Sequence, residues 1–188
     1  MDLVRTLLDA TAQVLSDVGL DGLSTNKVAR RAGVSVGSIY QYFPNKEALV
    51  DALVEDRMQR LGDLARTRMA ALESQSFPAA AEAMLRAVIE FLASEPGLAP
   101  ILVSHALYAS DQGVAGKMRA DADAAARGFL EQMEDLAVPD LDVAIFVSAN
   151  VAGLFGALLA NPNVDDGKRE RMIAEVVRML SLWISVRS

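Results

Sequence analysis

The sequence predicts an all-α protein. Apolar residues recur at three- and four-residue spacing along almost all of its 188 residues, and no segment alternates convincingly between apolar and polar side chains as a strand would. The hydrophobic share is 52%, yet aromatic residues make up only 5%. Alanine, leucine and valine must therefore build the interior, as they do in helical proteins. The length suits one good core, or a small module joined to a larger domain.

The N-terminal part predicts short helices. The first covers about residues 2–18 with Gly19 as its cap, and it turns one apolar face inward. That face consists of Leu3, Leu7, Ala10, Val14 and Val18. The second helix begins with Ser24 or Thr25 as its cap and stops near Gly33.

The stretch "AGVSVGSIYQYFPNK", residues 32–46, predicts the turn and second helix of a helix-turn-helix. Ala29, just before it, is small enough for the next helix to cross closely. Gly33 can adopt the left-handed conformation of a tight turn, Val34 fills the space beneath, and Ser35 caps the following helix. Two helices joined in this way can place the second one in a DNA groove.

The recognition helix should have an inner and an outer face. At 100° per residue, Val36, Ile39, Tyr40 and Phe43 fall on or near one side. Gly37, Ser38 and Gln41 point away and Tyr42 lies at the edge. The outer face is polar and uncharged, so it can enter a major groove about 12 Å wide, where Ser38 and Gln41 can bond to base edges.

Phosphate contacts are expected around this face. The tyrosine hydroxyls can reach phosphates or thymine methyl groups from partly packed rings. Lys46 follows Pro44, which ends the helix, and is placed as a phosphate clamp. Thr25 can bind phosphate through its hydroxyl and its backbone amide at a helix start.

The charge is unevenly distributed. The net charge is −7, but between Gly22 and Lys46 there are four basic residues and no acid. Residues 61–188 instead hold 11 basic and 17 acidic residues. A phosphate backbone responds to charges within a Debye length of about 8 to 10 Å, so a locally basic face on an acidic protein can still bind it.

The segment "LLDATAQVLSDVGLDGLSTNKVARRAGVSVGSIYQYFPNKEALVDAL", within residues 3–53, resembles the DNA-binding domain of TetR/AcrR-family transcriptional regulators. The resemblance covers about a quarter of the chain. It implies a homodimer with a three-helix DNA-binding module, a larger helical domain that binds an inducer, and a four-helix bundle formed by the last two helices of each subunit. The family's DNA contacts carry over onto Thr25, Asn26, Val36, Gly37, Ser38, Tyr40, Tyr42 and Lys46.

Two departures from the family pattern are visible. The sequence starts almost at helix one, without the basic arm that some relatives carry, and Val36 offers only apolar contact. Modest phosphate affinity is therefore expected, and the operator sequence stays open.

The remaining chain predicts six more helices, separated by "EPGLAP", "NPNVDDG" and similar breaks. Their approximate ranges are 46–72, 79–94, 100–110, 115–136, 140–160 and 166–186. The first of these is capped by Asn45 and should bridge a DNA-binding domain, residues 1–48, and an effector-binding and dimerisation domain, residues 49–188.

One apolar segment tests the assignment to the cytoplasm. Val143 to Ala160 is eighteen residues without a charge, near the lower limit for crossing a bilayer. Ser148, Asn150 and many small residues interrupt it, so a buried bundle helix is favoured over a membrane span. The acidic, polar N-terminus lacks a signal-peptide pattern, and zero cysteines suit a reducing cytoplasm.

The last two predicted helices favour a dimer interface. Two glycines in the interior of one helix each destabilise it by about 1 kcal/mol relative to alanine, so they require close packing within the subunit or across a dimer. The alternative is that these helices close a monomeric bundle. The predicted interface comprises Ala149, Gly153, Gly156, Ala160, Val176, Leu180 and Trp183, with Ile173 on the same apolar face.

An effector pocket should lie between residues 60 and 150. Apolar side chains at helical spacing are more often core than pocket, and a single histidine is more often solvated than a ligand contact. Asn150 is the best single candidate, because a buried amide needs a partner. The candidate pocket residues are Met84, Phe91, His105, Tyr108, Phe129, Met133, Phe146 and Asn150.

The sequence bears differently on three classes of function. A ligand-responsive repressor, which binds a palindromic operator as a homodimer and is released by a small apolar effector, is favoured. An enzyme is disfavoured, because the sequence has no cysteine, one histidine and no glycine-rich phosphate loop, and no cofactor or metal is expected. An architectural or activating DNA-binding protein without an inducer shares the same N-terminal module. The sequence leaves the effector, operator and regulated genes open.

Overall fold

The computed structural model describes residues 2–71, 76–95, 97–108, 113–131, 138 and 140–185, apart from the side chains of 105–108, 113–119, 121, 125 and 185. These residues form nine α-helices, and the predicted all-α class is confirmed. The helices are α1 (Leu3–Gly22), α2 (Thr25–Ala32), α3 (Val36–Tyr40), α4 (Lys46–Ala70), α5 (Phe77–Ser94), α6 (Ala99–Tyr108), α7 (Gly113–Leu130), α8 (Leu141–Leu159) and α9 (Asp166–Ser185).

Helix α1 is interrupted at its predicted end. Gly19 takes a left-handed φ of 69° with ψ of 179°, so the helical backbone breaks where the sequence predicts a cap. Val18 was expected in the inner face, but its exposed fraction is 43%. Val18 directly precedes the break at Gly19, where the regular helical face of α1 ends. The earlier apolar positions of α1 form the core as predicted.

Helix α4 joins the N-terminal helices to the rest of the molecule. Asn45 caps it by accepting a hydrogen bond from the Ala48 amide at 2.7 Å, and Glu47 lies in the first turn, where the helix dipole favours an acid. The helix packs against α1 on one side and against α5, α6 and α7 further along. One apolar core runs from α1 to α6 through α4, so the N-terminal helices and the beginning of the C-terminal part pack on the same core.

Helix α5 is central to the C-terminal part and packs against α4, α8 and α9. A second apolar cluster joins α5, α8 and α9 around Leu85, Leu159 and Ile173. At its edge, the Arg86 guanidinium of α5 donates two hydrogen bonds to the Glu170 carboxylate of α9, at 3.0 and 2.6 Å. The last helix is therefore held to the central one by apolar packing and by a bidentate ion pair.

Helix α8 is long and apolar enough to cross a membrane by length and composition alone, but only 22% of its most apolar window is buried. It packs against α5, α6, α7 and α9. The prediction of a bundle helix holds for this packed side. The opposite side is exposed, which the sequence did not indicate. Residues 132–137, the end of a helix predicted over 115–136, lie outside the described residues.

Candidate nucleic-acid interface and C-terminal faces

The turn between α2 and α3 depends on Gly33. This residue adopts φ 72° and ψ 29°, the left-handed conformation that lets it close α2, and the Val34 amide then donates to the Ala29 carbonyl at 3.0 Å. A Cβ at Gly33 would meet nothing within 4 Å, so the backbone conformation alone requires glycine there. Ala29 is buried at the crossing, as predicted.

Helix α3 is short and firmly anchored. Ser35 caps it, with its Oγ accepting from the Ser38 amide at 3.1 Å and lying 2.8 Å from Ser38 Oγ. The regular helix ends at Tyr40, and the amides of Tyr42 and Phe43 both donate to the Ile39 carbonyl. Ile39 is fully buried and Phe43 nearly so, which fixes this element on the small core.

The aromatic side chains point outwards. Tyr40 and Tyr42 are 53% and 51% exposed. The Tyr40 ring is thus about half covered, in line with the expectation of a ring partly packed against the module. Its hydroxyl lies 3.4 Å from Thr25 Oγ1, which brings the start of α2 beside the end of α3. Asn26 is exposed next to this pair.

Two recognition-helix positions differ in how the fold uses them. Val36 is partly buried against the core, so little of it is left for apolar contact with a partner. Gly37 is exposed, and a Cβ there would meet only Ser35 Oγ, at 3.7 Å. A methyl group fits at Gly37 without displacing anything, so internal packing does not account for glycine in a helix.

The four basic residues between Gly22 and Lys46 differ in their contacts. Lys27 Nζ donates to the Gly22 carbonyl at 2.7 Å, and Arg31 pairs with Asp17 at 2.5 Å. Arg30 is exposed and Lys46 partly exposed, and neither has an ion-pair partner among the described residues. Arg31 is the one of the four that pairs with an acid, so the local positive field comes mainly from Lys27, Arg30 and Lys46, which have no acidic partner among the described residues. Gln41, the remaining predicted contact, is exposed beside them on the same module.

The structure corrects part of the predicted dimer interface. Val176 and Leu180 are each 5% exposed and belong to the core between α5, α8 and α9. Gly156 is also internal, because a Cβ there would lie 2.3 Å from Val88 Cγ1 of α5. Ala160 packs partly against the first core. These residues pack within the subunit itself.

The other predicted interface residues lie outside. Ala149 is exposed, Trp183 is 40% exposed, and a Cβ on Gly153 would meet nothing within 4 Å. Large exposed apolar side chains form a stripe on α8 and α9, which we term the outer apolar face. Its members are Val143, Phe146, Leu154, Leu158, Met179, Leu182 and Trp183, each at least 40% exposed. Trp183 belongs to this face, and Ala149 and Gly153 lie on the same helix as its α8 members.

The structure does not gather the predicted effector residues into one cavity among the parts it describes. Phe91 is buried in the main core, while Met84 and Phe146 are 36% and 55% exposed. Phe129 is partly buried. Met133 and the side chains of His105 and Tyr108 lie outside the described residues. The pocket assignment therefore stays a prediction.

The hydrogen bonding of two polar side chains on α8, Asn150 and Ser148, differs from expectation. Asn150 Nδ2 donates to the Phe146 carbonyl of its own helix at 2.7 Å, so this amide already has a partner. Ser148 Oγ is buried and has no hydrogen-bond partner in the described structure. A buried hydroxyl without a partner is uncommon. In the sequence, Ser148 stands out as an interruption of the apolar run, and a serine between apolar positions is the signal that could have found it.

A charged residue on an inner face was also missed. Arg57 is 3% exposed and lies between the carboxylates of Asp9, Asp56 and Glu95. It follows Leu49 and Leu53 at four-residue spacing on α4, and both leucines are buried. A basic residue in register with two core leucines was therefore a visible sign of a buried ion pair.

Comparison with known families accounts for most of the chain. Residues 7–53 match the family model described as bacterial regulatory proteins of the tetR family, and residues 76–182 match the tetracyclin repressor-like C-terminal domain. The chain belongs to the tetR family. The first match contains the helix-turn-helix. The second begins just before α5 and ends within α9.

Curated relatives match about half of the chain. The HTH-type transcriptional regulator BetI of Cronobacter sakazakii is 38% identical over 86 residues, 46% of this chain and 41% of that protein. The nucleoid occlusion factor SlmA of Haemophilus ducreyi is 36% identical over 92 residues, 49% of this chain and 45% of that protein. The matched segments thus span less than half the length of each relative.

Solved structures in the family share the whole fold. A TetR-family transcriptional regulator from Streptomyces coelicolor has a TM-score of 0.74 at 24% identity, covering 97% of this chain and 99% of that one. The transcriptional regulator FadR of Bacillus subtilis, solved in complex with stearoyl-CoA, has a TM-score of 0.71 at 17% identity, covering 96% and 98%. These likenesses show the fold.

Proposed function

We propose that this protein is a cytoplasmic, DNA-binding transcriptional regulator that binds a palindromic operator as a homodimer and is released by a small, largely apolar effector. The observation that carries the proposal is the helix-turn-helix. Its recognition helix is anchored by Ile39 and Phe43 and presents exposed polar residues on a surface that the subunit itself does not cover. A rigid polar helix face of this kind suits the major groove.

The residues of the module divide into base and phosphate contacts. Gly37 lets the helix backbone approach the base edges, where Ser38 and Gln41 can donate and accept hydrogen bonds. Lys46 at the start of α4 is available for phosphate, since it has no ion-pair partner among the described residues. The proposed phosphate contacts are Thr25, Asn26, Tyr40, Tyr42 and Lys46, to which we add Arg30 because it is exposed on α2.

The outer apolar face supports the homodimer. Seven large apolar side chains exposed along two adjacent helices exceed what scattered surface residues require, and such patches mark interaction sites. A second copy of the same face is a self-complementary occupant with two-fold symmetry. Two-fold symmetry also suits an inverted-repeat operator, whose half-sites lie about 34 to 36 Å apart.

Asn150 fits a position within this interface. It lies one helical turn from both Phe146 and Leu154, which are members of the outer apolar face. A polar residue inside an apolar helical seam can fix the register of two helices at some loss of stability. We therefore assign Asn150 to the dimer contact in place of the effector pocket.

Ser148 supports an effector site inside the C-terminal domain. Its buried, unpartnered hydroxyl lies on α8, which also packs against α6 and α7. A ligand with one hydrogen-bonding group and an apolar body would satisfy it. The FadR structure solved with stearoyl-CoA is consistent with an apolar ligand in this fold. Binding that tilts α4 would change the spacing of the two recognition helices and release the operator.

The experiment that tests this function selects binding sites from random double-stranded DNA and sequences the enriched pool. We expect an inverted repeat that Tyr42→Ala and Lys46→Ala bind at least about tenfold more weakly. Lys168→Ala, which removes an exposed lysine on α9, is the matched control and should bind normally. Failure of the folded protein to enrich any sequence at low salt would reject the proposal.

A second candidate function follows from the likeness to the nucleoid occlusion factor SlmA, at 36% identity over 92 residues. Such a protein would bind DNA without being released by an effector. The two candidate functions can be distinguished by screening small apolar compounds for thermal stabilisation of the protein and then measuring operator binding in their presence. A regulator loses operator affinity with a stabilising compound, whereas a protein of the second kind keeps it.

A further inference from the structure

Arg57 of α4 connects three parts of the chain. Its Nη2 donates to Asp9 Oδ1 of α1 at 3.2 Å, and its Nη1 donates to Asp56 Oδ2 at 2.5 Å. Its Nε lies 2.8 Å from Glu95 Oε1, at the end of α5. Arg60 adds contacts to Asp56 at 3.0 Å and to Asp9 at 3.8 Å. One buried guanidinium thus joins the DNA-binding module, the bridging helix and the C-terminal domain.

The charge on this residue is maintained despite its burial. Burial by itself lowers the pKa of Arg57, but the charge of Glu95 and the hydrogen bonds to Asp9 and Asp56 hold the pKa above its ordinary value. A buried ion pair adds little stability compared with apolar packing, while breaking one leaves an uncompensated charge. A role in fixing orientation explains its position better than a role in stability.

The three contacts of Arg57 differ in geometry. Those to Asp9 and Asp56 are hydrogen bonds, whereas the Nε–H is not aligned with the Glu95 carboxylate although the two atoms are close. Attraction to Glu95 is therefore mainly charge with charge, which tolerates displacement better than a directed hydrogen bond does. The contact that crosses to the C-terminal domain is the least constrained of the three.

The backbone that follows Glu95 packs closely against α1 of the DNA-binding module. A Cβ on Gly97 would lie 2.5 Å from Ser16 Cα of α1, so only glycine fits there. Leu98 follows and is buried in the core shared with α1. A cleft of about 430 Å³ lies at the same junction and is lined by Ser16, Arg57, Gly97 and neighbouring residues. The turn between α5 and α6 therefore touches α1 directly and has open space beside it.

We infer that Arg57 is a positioning residue that sets the orientation of the DNA-binding module on the C-terminal domain, with Glu95 as the contact through which the α5–α6 turn holds it. Loss of the Glu95 charge frees the turn from α4 and lets the module rotate about α4. The consequence for operator binding rests on the proposed function, since an enlarged range of module orientations matters only if two recognition helices must match one operator.

The test measures the module's position within one chain. The sequence contains no cysteine, so Asp21→Cys on α1 and Lys168→Cys on α9 give a unique pair of exposed spin-label sites. Pulsed dipolar spectroscopy on labelled protein, diluted with unlabelled protein, yields the intrachain distance distribution. We expect a narrow distribution for the parent and at least a twofold broader one for Glu95→Gln, which preserves the shape of the side chain without its charge.

The matched control is Glu90→Gln. Glu90 of α5 pairs with Arg68 of α4, an exposed ion pair between the same two helices that does not touch α1. This variant should keep the parent distance distribution. Arg57→Lys keeps a positive charge but loses the bonds to two carboxylates at once, and it should broaden the distribution at least as much as Glu95→Gln.

Operator affinity provides a second measurement. Glu95→Gln should bind the selected operator about three- to tenfold more weakly, with Glu90→Gln unchanged. Unaltered distance distributions in both Glu95→Gln and Arg57→Lys, accompanied only by a lower Tm, would overturn the inference and leave a structural ion pair. Failure of the parent to bind any operator rejects the proposed function alone, because the distance measurement does not require DNA.

Discussion

The surface of α3 and the outer apolar face of α8 and α9 are both left exposed by the folded subunit, yet their chemistry is opposite. The first presents glycine, serine, glutamine and tyrosine hydroxyls. The second presents Phe146, Leu158, Trp183 and similar side chains, with Asn150 among them. A water-exposed polar helix needs no partner for stability, whereas a continuous apolar stripe gains free energy when it is covered.

This difference indicates two kinds of partner. The polar surface suits an acidic, hydrated duplex, on which the protein binds and dissociates. The apolar surface suits a permanent contact with a second copy, which resembles a divided core. Glycines show the same division. Gly156 is required by packing inside the subunit, while Gly153 and Gly37 have free space around them.

The largest expected effect comes from placing a charge in the outer apolar face. Leu158→Glu should raise the dimer dissociation constant by about 30-fold or more, since an unpaired carboxylate would be buried at the contact. Light scattering coupled to size exclusion measures the mass directly. The control is Leu20→Glu, which alters an exposed leucine of the N-terminal module and should stay dimeric. A dimer that survives Leu158→Glu would place the contact elsewhere.

The two glycines of α8 should respond in opposite directions. Gly156→Ala should lower the free energy of unfolding by about 1 to 3 kcal/mol, because its methyl group would overlap Val88. Gly153→Ala should raise it by up to about 1 kcal/mol through helix propensity. Urea unfolding at one protein concentration, in the Leu158→Glu background, separates these effects from dimerisation. Equal destabilisation by both would contradict the assignment of an inner and an outer side.

Gly37→Ala should separate folding from DNA binding. The methyl group fits the free subunit, so the free energy of unfolding should rise by up to about 1 kcal/mol. Operator affinity should fall about tenfold, because the backbone can no longer approach the base edges as closely. Gly62→Ala, within α4, is the control that changes a helical glycine away from the module surface. Unchanged operator affinity in Gly37→Ala would remove this helix face from the groove.

The smallest effect concerns the ion pair between Arg86 of α5 and Glu170 of α9, which borders the inner side of α9. Hydrogen bonds from Arg86 lower the pKa of Glu170 below its ordinary value of 4.5. The pair therefore stabilises the fold above that value, and the stabilisation is lost as the pH falls through the lowered pKa. Glu170→Gln should reduce Tm by about 1 to 3 °C at pH 7 and make no difference at the acidic end.

Calorimetry from pH 7 downwards checks this sign. The Tm values of the parent and of Glu170→Gln should converge as the pH falls. Glu175→Gln serves as the comparison, because Arg178 lowers the pKa of Glu175 within a single helix and does not join α9 to α5. A difference between the parent and Glu170→Gln that grows towards acid would show that the ion pair is not its source.

The sequence predicted the N-terminal module well because its signals are local. Gly33 in the turn, Ser35 as a cap and Asn45 as the next cap each act on neighbouring residues, and the structure confirms all three. The failure there is also local. Val18 lies beside a backbone break, so it does not follow the average periodicity.

The C-terminal faces could not be assigned in the same way. Helix α8 carries apolar residues on every side, so its sequence does not distinguish the side that packs on α5 from the side that stays exposed. Small residues at Gly153 and Gly156 are equivalent by spacing, but only the second lies against Val88. Assigning an inner side requires knowing which helix is adjacent, and that depends on contacts between distant parts of the chain.

By itself the sequence determined the helical class, the order of the elements and the helix-turn-helix, because capping residues, turn glycines and apolar periodicity act over a few positions. Only the tertiary structure decided that Val176 and Leu180 close the subunit, that Leu158 and Leu182 remain outside, and that Arg57 meets Asp9 and Glu95. The physical reason is that burial and ion pairing depend on neighbours far apart in sequence, which the packing of whole helices brings together.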